Sequence, residues 1–90
     1  MVSAVILLVV EKAKVNEVAE KLVDLPGITE VYSVAGQYDL VALVRVRENE
    51  ELADVISNRM RKLSGILGTE TLIAFRVYTK AELSAGFDMD

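Results

Sequence analysis

The segment that follows the first residue is apolar at nearly every position, and this feature limits the possible folds more than any other. Residues 2–10 read VSAVILLVV, which is rich in β-branched side chains and has no helical period, so the segment is predicted to be a β-strand. Side chains alternate between the two faces of a strand, so both faces of this strand are apolar. A strand of this kind is covered on both sides, and we expect it near the centre of a sheet.

The same segment predicts neither a membrane span nor a signal peptide. Its uncharged run is roughly half the length that a helix needs to cross a bilayer. It also lacks a basic start, and Glu11 and Lys12 follow it directly. We therefore expect a cytoplasmic protein with no membrane partner.

Five further elements are predicted from the spacing of apolar residues and from the residues that end helices. They are a helix over 14–25, strands over 28–35 and 40–47, a helix from the N-cap Asn49 to Leu63, and a strand over 69–78. Each helix is followed by a Gly-Ile pair, and the two pairs lie 38 residues apart. The order βαββαβ with this internal repeat predicts a ferredoxin-like α+β fold, an antiparallel four-stranded sheet with two helices on one face.

The strands carry apolar residues toward both faces of that sheet, whereas two helices cover only one face. The chain is 52% hydrophobic with a mean hydropathy of +0.35, which is high for a lone domain of 90 residues. Packing of the uncovered face against the sheet of a second subunit resolves this mismatch. We therefore expect a homodimer at least, formed through the face that the helices leave open.

The composition excludes several classes of function. The chain has no Cys and no His, which excludes zinc fingers, thiol nucleophiles and His-based acid–base catalysis. No acidic loop has the spacing of a calcium site, so neither a metal nor a cofactor is predicted. Ten Lys and Arg against fourteen Asp and Glu give a net charge of −4, which argues against direct nucleic-acid binding.

Two small groups of polar residues remain as candidates for a site. A Gly-led loop places Tyr38 beside Asp39, which suits either an acid–base pair or a hairpin turn in which the aspartate caps local amides. Thr69 and Thr71 point the same way at the start of a strand, so their hydroxyls suit one small polar ligand, although threonine is also an ordinary strand residue. Glu70, between them, faces the opposite side.

Three arginines lie on or near predicted strand ends, at Arg45, Arg47 and Arg76. Such residues suit the binding of a carboxylate or phosphate, and they equally suit edge charges and ion pairs between subunits. The sequence alone leaves both interpretations open.

Two motifs at a suitable separation resemble the ligand-binding domain of the Lrp/AsnC regulators. Residues 26–39, PGITEVYSVAGQYD, are similar to that family's Pro-Gly-Val, strand and Gly-x-Tyr/Phe-Asp. Residues 63–71, LSGILGTET, are similar to its Leu-x-Gly-Val-x-x-Thr-x-Thr. The resemblance spans nearly the whole chain, and we expect one such domain over 1–79 followed by a polar C-terminal tail over 80–90.

The resemblance implies a non-enzymatic domain that binds an amino-acid effector, forms homo-oligomers and acts in transcriptional regulation. The chain starts at the first strand, so it looks like the stand-alone RAM version (regulation of amino acid metabolism), which lacks its own helix-turn-helix. Family members dimerise through their sheets and form rings, commonly octamers or decamers, with effectors between dimers. A full-length Lrp/AsnC regulator is an implied partner.

The resemblance also implies where the effector binds. Asp39 suits the α-ammonium group of an amino acid, and Gln37 would lie beside the ligand side chain. The two threonine hydroxyls would come from the other subunit. The implied ligand-binding residues are Gly36, Gln37, Tyr38, Asp39, Thr69 and Thr71.

Three other functions fit the predicted element order. A small dimeric ferredoxin-like barrel enzyme has the same order; such enzymes use His, Asn, Trp or Arg in a cavity between helices and sheet, and this chain has neither His nor Trp. An amino-acid-binding ACT module carries its ligand loop between the first strand and first helix, usually with a Gly, whereas residues 11–14 here read EKAK. A purely structural assembly module without a ligand is the third alternative.

Overall fold

A computed structural model of the chain describes residues 1–81. The predicted tail over 80–90 lies outside the described residues except for its first two positions. The described part contains the predicted elements in the predicted order. They are β1 (Val2–Val10), α1 (Val15–Val23), β2 (Ile28–Ser33), β3 (Leu40–Val46), α2 (Asn49–Asp54) and β4 (Ile66–Ile73).

The four strands form one antiparallel sheet in the order β2-β3-β1-β4. β1 pairs with β3 on one side and with β4 on the other, so the strand that is apolar on both faces is a central strand, as predicted. The helices contribute Val18, Leu22, Leu52 and Val55 to the core on one face of the sheet. This arrangement confirms the ferredoxin-like βαββαβ fold with an antiparallel four-stranded sheet and two helices.

Alternate residues of the strands form the core under the helices. The buried strand residues are Ala4, Ile6, Leu8, Val10, Ile28, Leu40, Ala42, Val44 and Val46. The residues between them point to the other side of the sheet, which we call the open face. Its apolar members are Val5, Leu7, Val9, Val41, Leu43 and Leu72.

The two Gly-Ile turns have the same structure, which accounts for the repeat in the sequence. Gly27 and Gly65 have φ of 88° and 100°, a left-handed conformation that glycine adopts at little cost. The Gly27 carbonyl accepts a hydrogen bond from the Arg45 N–H, and the Gly65 carbonyl accepts one from the Glu11 N–H, each at 2.8 Å. Each turn therefore connects a helix to the next strand. Its glycine carbonyl is hydrogen-bonded at or directly after the end of a central strand, β3 for Gly27 and β1 for Gly65.

The second helical segment differs from the prediction in two ways. Asn49 is the first residue of α2 and not its N-cap; Glu48 occupies that position in an extended conformation, and its carbonyl accepts hydrogen bonds from the Glu51 and Leu52 N–H groups. The predicted continuous helix also changes type, with a π-helical turn over Val55–Arg59 and a 3₁₀ turn over Met60–Lys62. Met60, the first residue of the 3₁₀ turn, is nevertheless buried in the core.

The last strand was predicted over 69–78 and is found at Ile66–Ile73, so this prediction was wrong at both ends. It begins earlier because Ile66 already pairs with Val10. It ends earlier because Ile73 lies opposite Ala4, close to the start of β1, and further residues have little of β1 left to pair with. Among residues 1–81, no helix is long and apolar enough to cross a membrane.

Candidate functional site

The loop between β2 and β3 carries four of the six predicted site residues, and its aspartate has a defined structural partner. Oδ2 of Asp39 accepts a 2.8 Å hydrogen bond from the backbone N–H of Val10. The Asp39 N–H donates to the carbonyl of Leu8 at 2.8 Å, and its carbonyl accepts from the Val34 N–H at 3.1 Å. The aspartate does cap an amide, but the amide lies 29 residues away in β1 and not in the local turn.

The tip of this loop is accessible. Gly36 and Gln37 are exposed, and Gly36 has φ of 131°, in the region that favours glycine. An added Cβ on Gly36 would meet no atom within 4 Å, so space at the tip is open. Gly36 therefore holds a conformation that other residues rarely adopt, whereas ligand contact by Gly36 or Gln37 remains a prediction.

Tyr38 reaches across the sheet to the last strand. Its hydroxyl donates a 2.6 Å hydrogen bond to Oε1 of Glu70. This bond, with smaller effects from burial and from the negative charge of Glu70, raises the pKa of Tyr38 above its ordinary value of 10.0. Glu70 was not among the predicted site residues; its place on the opposite side from the two threonines was the only signal in the sequence.

Thr69 and Thr71 point to the same side of β4, as predicted. Thr69 lies opposite Leu8 and Thr71 opposite Ile6, both of which are buried under the helices, so the two threonines lie on the helix-covered face. Each lines a groove between β4 and the second helical segment, with volumes of about 330 Å³ beside Thr69 and about 520 Å³ beside Thr71. Ile56 lines both grooves.

The loop and the threonines lie at neighbouring positions in the sheet. Leu8 of β1 pairs with Leu40 on one side and with Thr69 on the other. Since neighbouring strands are roughly 4.8 Å apart, the start of β3 and Thr69 are separated by about 10 Å. The Tyr38 hydroxyl, however, meets Glu70 on the open face, whereas the threonines face the helices. One chain therefore does not direct all six predicted residues at one point.

Two of the three arginines predicted on or near strand ends, Arg45 and Arg47, lie at the other end of the β2–β3 hairpin, and the third, Arg76, lies three residues beyond the end of β4. Arg45 and Arg47 line a cavity of about 630 Å³, and neither makes an ion pair within the part of the chain that the structure describes. The cavity is also lined by acidic residues, which do not favour an anion. Its charged lining residues are Arg45, Arg47, Glu48, Glu50, Glu51, Asp54 and Arg59.

The polar and charged side chains of the described residues lie at or near the surface. None of residues 1–81 is a buried polar or charged residue. The same residues contain no cluster of three or more acidic side chains that would hold a metal ion. The Asp54 carboxylate accepts hydrogen bonds from Asn58 and Arg59, which lower its pKa below the ordinary value of 3.8. These bonds link the end of α2 to the π-helical turn. What the arrangement offers is hydrogen-bonding and charged groups around open grooves.

Comparison with known proteins assigns the family. Residues 3–83 match the Lrp/AsnC ligand binding domain, and the chain belongs to this family. A curated relative, the HTH-type transcriptional regulator FL11 of Pyrococcus furiosus, is 40% identical over 75 residues, which cover 83% of this chain and 49% of that protein. The chain thus spans about half the length of the curated relatives that it matches first.

Solved structures agree with this assignment. TTHA0845 from Thermus thermophilus is 45% identical, with a TM-score of 0.83, and the match covers 89% of this chain and 100% of that one. A feast or famine regulatory protein (Rv3291c) of M. tuberculosis, complexed with L-methionine, is 24% identical with a TM-score of 0.73 over 89% of this chain and 54% of that one. The second likeness shows the fold alone.

Proposed function

We propose that this domain binds an amino acid and thereby modulates the assembly of a transcriptional regulator, without catalysing a reaction. Two findings support this role: the family is described as a ligand binding domain, and the curated relatives are named HTH-type transcriptional regulators. The absence of buried polar side chains among residues 1–81 is compatible with a binding role.

The observation that carries the proposal is the geometry of Asp39. One carboxylate oxygen is held by the Val10 N–H, while Oδ1 receives no hydrogen bond from the described residues. A fixed carboxylate with one free oxygen beside an open loop tip is prepared to bind the α-ammonium group of an amino acid. The exposed backbone at Gly36 and Gln37 allows a ligand to approach closely.

The site is proposed to form between copies of the chain. In one chain the start of β3, next to the loop, and Thr69 are about 10 Å apart, and the Tyr38 hydroxyl and the threonines lie on opposite faces of the sheet. A second copy therefore supplies Thr69 and Thr71 to the loop of the first, with the hydroxyls bonding the ligand carboxylate. Homodimers formed through the open face, assembled further into an octameric or decameric ring, provide such contacts.

Contact with DNA is proposed to come from a full-length Lrp/AsnC regulator in the same assembly. The elements described between residues 1 and 81 include no helix-turn-helix, and the net charge of −4 disfavours direct binding. Ligand binding shifts such an assembly only if one assembled state binds the amino acid more tightly than another.

Subunit mixing tests the proposed site. L-methionine is the first probe, because a protein of this fold has been solved with it; the other nineteen amino acids follow. Asp39→Asn chains and Thr69→Val/Thr71→Val chains are each expected to bind at least about tenfold more weakly than wild type.

The two variants are then denatured together, refolded as a mixture and titrated by calorimetry. If loop and threonines come from different copies, random mixing restores both native groups in about a quarter of the sites. A site contained in one chain restores none. Full binding by both separate variants would contradict the proposed site residues and leave a structural assembly module.

A further inference from the structure

The structure brings together two of the three arginines whose role the sequence left open. Arg45 lies opposite Ser3 in the pairing of β3 with β1. On the other side of β1, the Ala74 N–H donates a 2.9 Å hydrogen bond to the Ser3 carbonyl, and Arg76 follows two residues later. Arg45 and Arg76, which are distant in the sequence, therefore flank the same end of β1.

Both arginines line one cavity of about 370 Å³ at this end of the sheet. Ser3 adds a hydroxyl group to the lining, and Phe75 and Val77 add apolar surface. Among the described residues, none that lines this cavity is acidic. The cavity therefore differs from the one of about 630 Å³ that Arg45 also lines, where acidic residues offset the arginines.

The two guanidinium groups are available to a ligand. Both side chains are exposed, and neither forms an ion pair within residues 1–81. Since neighbouring strands are roughly 4.8 Å apart, the backbones of Arg45 and Ala74, on either side of Ser3, are separated by about 10 Å. Two long arginine side chains can converge on one anion across such a distance.

An acidic residue lies near this cavity but does not line it. Glu30 lines the adjoining groove of about 440 Å³, which Arg45 also lines. Its carboxylate accepts a hydrogen bond from the Tyr32 hydroxyl, on the β2 side of the sheet. Arg76 does not line that groove, so the positive charge of the smaller cavity is not balanced there.

We propose that the cavity of about 370 Å³ binds a small phosphate ester, with its phosphate group between Arg45 and Arg76. A phosphate monoester carries roughly two negative charges at neutral pH. Its oxygens match the planar fork of donors that each guanidinium presents, and the Ser3 hydroxyl is a further donor. Phe75, which is 102% exposed, offers a ring on which a flat organic group of the ester packs.

This cavity is separate from the proposed amino-acid site. The loop and Thr69 lie next to Leu8, which is five residues from Ser3 in β1, or about 17 Å at the ordinary rise of a strand. The net charge of −4 disfavours a polyanion such as nucleic acid, so a small ester is the ligand that fits. The domain thus has separate places for two kinds of small molecule.

Calorimetry with adenosine 5′-monophosphate, in which a phosphate is joined to a flat base, tests the site. We expect Arg45→Gln and Arg76→Gln each to weaken binding about tenfold or more, because each removes charge-assisted hydrogen bonds. Arg47→Gln is the matched control: it makes the same change in charge at an exposed arginine that does not line this cavity. We expect it to weaken binding less than about threefold. Thermal unfolding checks that the variants are folded.

A second comparison tests the role of the ring. Ribose 5-phosphate lacks the base and is expected to bind several-fold more weakly than the nucleotide, and Phe75→Leu is expected to remove most of that difference. L-methionine is expected not to displace the nucleotide.

Three results would overturn the phosphate site. They are no binding of either ester at about 10 mM, an equal loss of affinity in Arg47→Gln, and displacement of the nucleotide by L-methionine. Binding of L-methionine without binding of either ester would overturn this inference alone and leave the proposed function standing.

Discussion

The carboxylate of Asp39 accepts a 2.8 Å hydrogen bond from the backbone N–H of Val10, a residue 29 positions earlier in the chain. Val10 lies where the pairing between β1 and β4 shifts register, and its side chain is buried. The aspartate thus satisfies a backbone donor at an irregular point of the central strand. The residue proposed to bind the ligand therefore also satisfies a backbone N–H of the central strand.

This double role separates two substitutions at the same position. Asp39→Ala leaves the Val10 N–H without its partner and is expected to cost about 1–2 kcal/mol of unfolding free energy. Asp39→Asn keeps an acceptor oxygen and is expected to cost roughly half as much or less, while it removes the charge that binds an α-ammonium group. Urea unfolding measures both costs. Equal destabilisation by Asn and Ala would contradict the role of the hydrogen bond.

The bond between Tyr38 and Glu70 predicts a pH dependence at the alkaline end. It holds the phenol in its protonated form, so the pKa of Tyr38 is raised in the folded protein. A raised folded pKa contributes stability below the ordinary value of 10.0, and this contribution is lost as pH rises through the raised pKa. Alkaline titration of tyrosine absorbance measures the Tyr38 pKa. The titration uses a Tyr32→Phe background, because a hydrogen bond with Glu30 also raises the pKa of Tyr32.

Glu70→Ala is expected to lower the Tyr38 pKa toward its ordinary value in that titration. Glu20→Ala removes an exposed carboxylate from α1 and serves as the control, with no expected change in the tyrosine curve. An unchanged curve for Glu70→Ala would show that the two side chains are not bonded in solution.

Gly27, in the first Gly-Ile turn, and Gly68, in β4, are predicted to tolerate alanine unequally. A Cβ on Gly27 would lie 2.6 Å from Cγ1 of Val46, and the residue has φ of 88°. Gly27→Ala is therefore expected to destabilise the fold by about 1–3 kcal/mol. Gly68, which has no atom within 4 Å of an added Cβ, is the matched control, and Gly68→Ala is expected to change stability by less than about 0.5 kcal/mol. Thermal unfolding of both variants checks the difference; a similar loss in each would contradict it.

Much of this fold was predictable because it depends on patterns that act locally. The apolar character of β1 on both faces predicted a central strand, and the two Gly-Ile turns predicted a repeated half. The end of β4 was not predictable from its own residues, because it depends on the length of β1. The π-helical turn was missed because the apolar spacing of Leu52, Val55 and Met60 also fits an ordinary helix.

The candidate site was predictable only in part, for a related reason. Gly36 and the common orientation of Thr69 and Thr71 follow from local geometry. The partners of Asp39 and Tyr38 lie 29 and 32 residues away, and no short-range pattern identifies Val10 or Glu70. The sequence patterns that single out these candidate residues therefore do not show the contacts that hold Asp39 and Tyr38 in place.

The threonines predict a loss of binding without a loss of stability. Thr69→Val and Thr71→Val preserve shape and strand propensity, so each is expected to change unfolding free energy by less than about 0.5 kcal/mol. Each is expected to weaken amino-acid binding about three- to tenfold through one lost hydrogen bond. Thr29→Val is the control, because Thr29 is an exposed strand threonine outside the proposed site. If Thr69→Val and Thr71→Val bind the amino acid as tightly as Thr29→Val in calorimetry, the two hydroxyls are excluded from the site.

Light scattering after size exclusion, paired with melting curves and run with each of the twenty amino acids, tests the central claim most directly. We expect an oligomer whose melting temperature rises by roughly 5 °C or more with at least one amino acid, and an Asp39→Asn variant that assembles but does not respond. A wild-type assembly that keeps the same mass and melting temperature with every amino acid would contradict an effector site on this domain.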